Sequence, residues 1–153
     1  MAVIAAGTPA PEFTLGSPDG VFTRADLEGK RTLLVFYPFA FSSVCTDQFG
    51  IYNDLLGDFA GHGLTLYGVS CDAVASQQAF KRSLGVEIEQ LSDFEPKGAT
   101  CRALGVYHPA GMAERALVLI GPDGVVEWSY QAETPGDLPG ANLIFDALEV
   151  QAA

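Results

Sequence analysis

The chain alternates between short apolar runs and amphipathic stretches, and the hydrophobic period changes from one to the next. Thr32-Leu33-Leu34-Val35-Phe36-Tyr37 is apolar almost throughout, the pattern of a strand covered on both faces. From Ser42 to Ala60 the apolar positions take helical spacing. Cys45, Phe49, Tyr52, Leu55, Leu56 and Phe59 form one stripe, while Thr46, Asp47, Gly50, Asn53, Asp54, Gly57 and Asp58 take the other face. Gly61-His62-Gly63 ends this helix. Leu64 to Ser70 returns to a strand. Strand, helix and strand together predict a parallel pair joined by a right-handed crossover.

Ahead of this unit, Phe13-Thr14-Leu15 and Val21-Phe22-Thr23 flank Ser17-Pro18-Asp19-Gly20, the signature of a small hairpin. Residues 25–29 suit one helical turn or a loop. Behind it the pattern predicts a helix over 75–84 closed by Gly85, a short strand over 89–92 and a short helix over 97–104. A strand over 116–120, a Gly121-Pro122-Asp123-Gly124 turn and a returning strand over 125–130 form a hairpin, and a helix covers roughly 141–150. This order is that of an α/β protein with a thioredoxin-like fold: a central mixed β-sheet flanked by helices, with an added N-terminal β-hairpin. A chain of 153 residues without repeats or low-complexity stretches suits one domain, here 1–153.

Charge narrows the choice of partner. Acidic residues exceed basic ones, 19 against 8, for a net charge of −11. Nucleic acid and anionic membranes recruit clustered Lys and Arg, so neither is expected. No segment approaches the roughly 20 apolar residues of a membrane helix. The first seven residues carry no basic side chain and are too short for a secretory signal, which points to a cytoplasmic protein. Three cysteines without a CxxC pair or a His cluster predict neither a disulfide framework nor a metal site, and no cofactor is expected. Asp72, Asp93 and Glu95 match no metal-loop spacing and read as a solvated acidic surface.

The chemistry centres on Cys45. It falls in the first turn of the 42–60 helix, just past the end of the 32–37 strand, where the partial positive charge of a helix start stabilises a thiolate. Ligands of open α/β sheets bind beyond the carboxyl ends of the parallel strands. Ser70, Cys71 and Asp72 should emerge at that edge too. In a thioredoxin-like sheet the 116–120 strand runs antiparallel, so its start lies there, and Arg115 immediately precedes it. An Arg beside the thiol would hold negative charge on sulfur and on a leaving oxygen.

Pro38-x-x-x-Ser42-x-x-Cys45 resembles the active-site motif of the peroxiredoxin family. Pro11-Glu12-Phe13-Thr14-Leu15, Gly68-Val69-Ser70-Cys71-Asp72, Leu91-Ser92-Asp93-Phe94, Gly105-Val106-Tyr107 and the stretch from Arg115 through Val126 resemble its other segments. The likeness runs from about Thr8 to Val150, and it is greatest to the one-cysteine-type, AhpE-like branch, with the bacterioferritin-comigratory branch next. It implies a thiol peroxidase acting on hydrogen peroxide or organic hydroperoxides, in which Cys45 is the peroxidatic thiolate and becomes a sulfenic acid. In the same reading Ser42 hydrogen-bonds thiolate and peroxide, Arg115 polarises the O–O bond, and Pro38 shields the site.

Where many relatives carry a Glu three residues after the cysteine, this chain has Gln48, which leaves the Arg115 network open to question. Position 50, where some relatives carry a resolving thiol, is Gly. Cys71 and Cys101 therefore have three readings: buried small hydrophobes, resolving partners for Cys45, or partners for each other. If neither resolves, an external thiol must, either a thioredoxin-like protein or a low-molecular-weight thiol. The resemblance also implies a homodimer, for which Phe39 and Phe41 beside the active-site loop are apolar candidates. A non-catalytic redox-sensing module on the same fold is the alternative. A disulfide oxidoreductase is disfavoured by the lack of CxxC.

Overall fold

The apolar run after Lys30 becomes the central part of a mixed sheet. A computed structural model describes residues 2–152. In chain order its elements are β1 (Thr14–Ser17), β2 (Gly20–Thr23), a 3-10 turn at Arg24–Leu27, β3 (Arg31–Phe36), α1 (Ser43–Asp54), α2 (Leu56–Gly61), β4 (Leu64–Ser70), α3 (Val74–Leu84) and β5 (Glu89–Ser92). There follow α4 (Ala99–Ala103), β6 (Tyr107–His108), β7 (Met112–Ala113), β8 (Ala116–Ile120), β9 (Val126–Gln131) and α5 (Ala141–Ala152). The seven-stranded sheet has the order β2-β1-β5-β4-β3-β8-β9, and β6 and β7 form a separate small hairpin. β3 runs parallel to β4 and antiparallel to β8, and β4 runs parallel to β5. This is the thioredoxin-like arrangement, with the expected N-terminal hairpin at one edge.

Strand alternation divides the core into two layers. Leu33, Val35 and Tyr37 point with Leu117 and Leu119 to one side, where Cys45, Phe49 and Tyr52 of α1, Phe80 of α3 and Ile144 of α5 cover them. Leu34 and Phe36 point with Val118 and Ile120 to the other side, where they meet Leu15, Leu27, Cys71, Cys101 and Leu104. No helix among the described residues is long and apolar enough to cross a membrane.

Three local features depart from the pattern-based expectation. The single helix over 42–60 is two helices, because the backbone tightens at Leu55, whose N–H turns back to the Tyr52 carbonyl at 3.1 Å. Leu55 and Leu56 still pack on the same layer, so the apolar stripe runs through the break and hides it. The helix expected over 97–104 shrinks to α4, because Gly98 at φ +69° lies outside helical space and serves as its N-cap. The β6–β7 hairpin has two-residue strands, too short to show a period.

The crossover helix lies hard against the sheet at Gly68. A Cβ there would stand 2.7 Å from Phe49 Cζ and 2.4 Å from Gln90 Oε1. Gln90 is not free to swing away, since its Oε1 accepts from Tyr37 Oη at 2.7 Å and its Nε2 donates to the Ile88 carbonyl at 3.0 Å. We expect Gly68→Ala to cost about 1–3 kcal/mol. The loss should appear as a lower urea midpoint at unchanged slope. An unchanged midpoint would show that α1 is not seated by this contact.

Candidate active site

The site grows out of the end of β3. Pro38 has no N–H and stops the ladder there. The following loop turns sharply through Phe41, the one non-glycine among the described residues with a left-handed φ, +70°. Such a conformation persists only where its surroundings hold it. Here the Ala40 N–H donates to Asp72 Oδ2 at 2.9 Å, the same oxygen accepts from Ser70 Oγ at 2.7 Å, and the Phe41 ring rests edge-on against Phe80 at 5.3 Å. The end of β4 thus pins the loop that leaves β3.

Ser42 then caps α1. Its extended backbone ends the loop, its Oγ accepts the Cys45 N–H at 3.3 Å, and its carbonyl accepts both the N–H and the Oγ1 of Thr46 at 2.9 Å. Cys45 is therefore fixed in the first turn, with its side chain fully buried.

Arg115 arrives from the opposite direction. Antiparallel pairing sets Ala116 of β8 against Phe36 of β3, so the preceding residue falls beside the 37–38 junction. The side chain is only 2 % exposed. Its Nη2 donates to Cys45 Sγ at 3.2 Å, its Nη1 to Gln48 Oε1 at 2.6 Å and its Nε to the Pro135 carbonyl at 2.6 Å. None of these three acceptors is a carboxylate, so negative charge on the sulfur would find an unshared cation beside it.

Gln48 answers the question its substitution raised. One turn past Cys45, its amide oxygen takes the guanidinium and its amide nitrogen donates to Tyr52 Oη at 3.3 Å. Tyr52 passes the chain on, donating to the Pro139 carbonyl at 2.6 Å. Burial pushes the Tyr52 phenol up to about 12, which keeps that donor proton in place. Burial likewise raises the Tyr37 phenol above its ordinary range.

Above the thiol, Pro38, Phe39, Ser42, Ser43, Val44, Met112, Arg115, Pro135 and Gly136 line a cavity of about 230 Å³. Arg115 both touches the sulfur and lines the cavity, and so links the two. A wider hollow of about 500 Å³ between the N-terminal segment and residues 129–133 has no cysteine among its lining residues.

The structure thus gathers Cys45, Ser42, Arg115 and Pro38 at one sheet edge. It does not bring Cys71 or Cys101 to them. Those two lie in the other core layer, next to each other and to Asp93, with the two sulfurs and a carboxylate oxygen all within 4.8 Å of one another. The reading of Asp93 and Asp72 as solvated surface is corrected. Asp93 is 3 % exposed, and its two oxygens accept the N–H groups of Thr100 and Cys101 at 3.1 and 2.8 Å. Asp72 is held by Ala40 and Ser70 as described. Glu95 is exposed, as expected.

Sequence reasoning did not find Met112, Pro135 or Gly136. Only the tertiary fold brings the β7 hairpin and the loop before α5 over the active-site turn. Asp72 was legible as a neighbour of the sheet edge but not as an anchor. Tyr52 was legible as part of the helix stripe but not as a hydrogen-bonding residue.

A capped, buried thiol thus faces a buried guanidinium at the carboxyl edge of a thioredoxin-like sheet. Residues 6–129 match the model of the AhpC/TSA family, and the chain belongs to that family, the peroxiredoxins. It is 37% identical over 102 residues to a Mycobacterium tuberculosis protein named as a peroxiredoxin, a match covering 66% of this chain and 64% of that protein, slightly under two thirds of the relative's length. It is 29% identical over 150 residues to alkyl hydroperoxide reductase E of Mycobacterium tuberculosis, covering 96% of this chain and 97% of the relative. The structure of Enterococcus faecalis AhpC superposes with a TM-score of 0.88 at 24% identity, over 97% of this chain and 93% of that one, and shares the fold.

Tyr52→Phe should remove one donor from a buried carbonyl and one acceptor from Gln48. We expect a stability loss of about 1–3 kcal/mol. Thermal unfolding followed by circular dichroism measures it, and a melting temperature equal to that of the unaltered protein would remove Tyr52 from the network.

Proposed function

We propose that the protein is a thiol-dependent peroxidase that reduces hydrogen peroxide or organic hydroperoxides through Cys45. The observation that carries the reading is the Arg115 side chain, which donates to Cys45 Sγ at 3.2 Å and also lines the adjoining cavity. A hydroperoxide in that cavity meets the guanidinium and the Ser42 hydroxyl while its proximal oxygen faces the sulfur. The thiolate attacks that oxygen along the O–O axis. The S–O bond forms as the O–O bond breaks, the distal oxygen leaves with a proton as water or an alcohol, and Cys45 becomes a sulfenic acid. Charge develops on the leaving oxygen, where a preorganised donor contributes most. Pro38 and Phe39 keep bulk water off the reacting atoms.

The sulfenic acid is then reduced by an external thiol, either a low-molecular-weight thiol or a thioredoxin-like protein. Two such thiols return Cys45 to the thiol and leave as a disulfide and water. The placement of Cys71 and Cys101 in the other core layer supports an outside reductant over an internal resolving cysteine. We further propose that the protein acts in the cytoplasm, where reducing thiols are plentiful. It would act there as a homodimer joined near the active-site loop, since Phe39 and Phe41 are 50 % and 57 % exposed beside the cavity.

Cys45→Ser should abolish peroxide-dependent turnover. Arg115→Ala should lower the second-order rate constant with peroxide by about 10²–10³-fold. Stopped-flow measurement on both variants decides the assignment, and normal turnover in Cys45→Ser would refute it. Sedimentation velocity across a concentration series should show a dimer that Phe39→Ser with Phe41→Ser converts to monomer. A monomer at all concentrations would remove the dimer.

A further inference from the structure

We propose that Cys71 and Cys101 form a second redox centre, a dithiol that closes to an intramolecular disulfide independently of Cys45. The two cysteines stand thirty positions apart in the chain, yet the fold sets them side by side. Cys71 leaves the end of β4 and Cys101 rides on α4, and their sulfurs lie within 4.8 Å of each other in the layer that excludes Cys45. A disulfide needs the sulfurs at about 2.0 Å, so from a separation of at most 4.8 Å they have at most about 2.8 Å to close. Cys71 lies in a bend between β4 and α3, and Cys101 sits on a helix of five residues.

The pair is also chemically asymmetric. Cys71 is 8 % exposed and Cys101 fully buried. A hydrogen bond from the Cys101 thiol holds the Cys71 thiol below its ordinary range. The same bond, with burial and the neighbouring Asp93 carboxylate, pushes Cys101 far above it. Cys71 is therefore the attacking sulfur. Its thiolate takes the proximal oxygen of a hydroperoxide, the distal oxygen leaves as water or an alcohol with a proton, and Cys71 becomes a sulfenic acid. Cys101 sulfur then attacks Cys71 sulfur, loses its proton, and expels water as the S–S bond forms. The pair is oxidised by two electrons and one peroxide is reduced. The identity of the oxidant rests on the function proposed above, while the pairing itself rests on geometry.

Asp93 makes a metal site the competing reading, because it adds a third ligand to the two sulfurs. Both its oxygens already accept from α4 N–H groups, and a closed structural zinc site takes four ligands. The dithiol reading is favoured on those grounds.

The test uses the full chain carrying Cys45→Ser, so that the first site cannot contribute. After treatment with hydrogen peroxide and alkylation of free thiols, non-reducing tryptic mass spectrometry should find residues 32–81 joined to 98–102, with two hydrogens lost and both thiols unalkylated. Dithiothreitol should reverse the link, and adding Cys101→Ser should abolish it. Quantitative alkylation of both Cys71 and Cys101 after peroxide would overturn the proposal. So would one-to-one uptake of zinc that requires both thiols in a protein that peroxide leaves uncrosslinked. The outcome is separable from the peroxidase reading, which stands or falls on the reaction of Cys45 in the unaltered protein.

Discussion

A guanidinium buried as deeply as that of Arg115 is expensive unless its donors are met, and the rest of the site is arranged around meeting them. The three groups that do so come from three places: a thiol at the start of α1, an amide one turn further along, and a main-chain carbonyl before α5. No single element could supply all three. Antiparallel pairing of β8 with β3 delivers the side chain, and the parallel crossover through α1 delivers the thiol. The cost of burying the cation thus acts as a positional constraint, because any shift of α1 against β8 would strand a charged donor in the core.

The same constraint explains how a neutral residue can stand at position 48. A carboxylate there would pair with Arg115 and share its charge. The amide oxygen of Gln48 accepts the hydrogen bond without neutralising the cation, and its nitrogen ties the pair to Tyr52 and on to Pro139. Orientation is preserved while the full positive charge stays available to the sulfur and to whatever occupies the cavity. The trade is electrostatic: less stabilisation of the resting arginine, more attraction for an anionic reactant.

Much of this was readable from the chain, for physical reasons that differ from residue to residue. The β3 run and the Cys45–Phe49–Tyr52 stripe are periodic, so local pattern suffices. Arg115 was legible only through topology, because its place follows from the strand direction that the fold class imposes. Asp93 was misread because its acidic neighbours suggested solvent, whereas the start of α4 draws its carboxylate inward. The break at Leu55 was hidden because a kink that keeps the apolar stripe in phase leaves no trace in periodicity. Met112 and Pro135 could not be found from sequence at all, since loops are brought over a site by the packing of elements distant in the chain.

The division of the core into two layers decides how the three thiols relate. A strand presents successive side chains to opposite faces, so a cysteine after β3 and one after β4 share the sheet edge without sharing a side. Cys45 is carried on α1 to one layer, and Cys71 turns into the other. Edge proximity had made Cys71 a natural resolving candidate, but layering separates the two by the sheet itself. A polar connection joins the two sides at this edge. Asp72, the residue after Cys71, holds the Ala40 N–H and through it the strained turn at Phe41 that precedes Cys45. Cys71 and Cys45 are thus linked at this edge through Asp72 and the Phe41 turn, and not through a shared core layer.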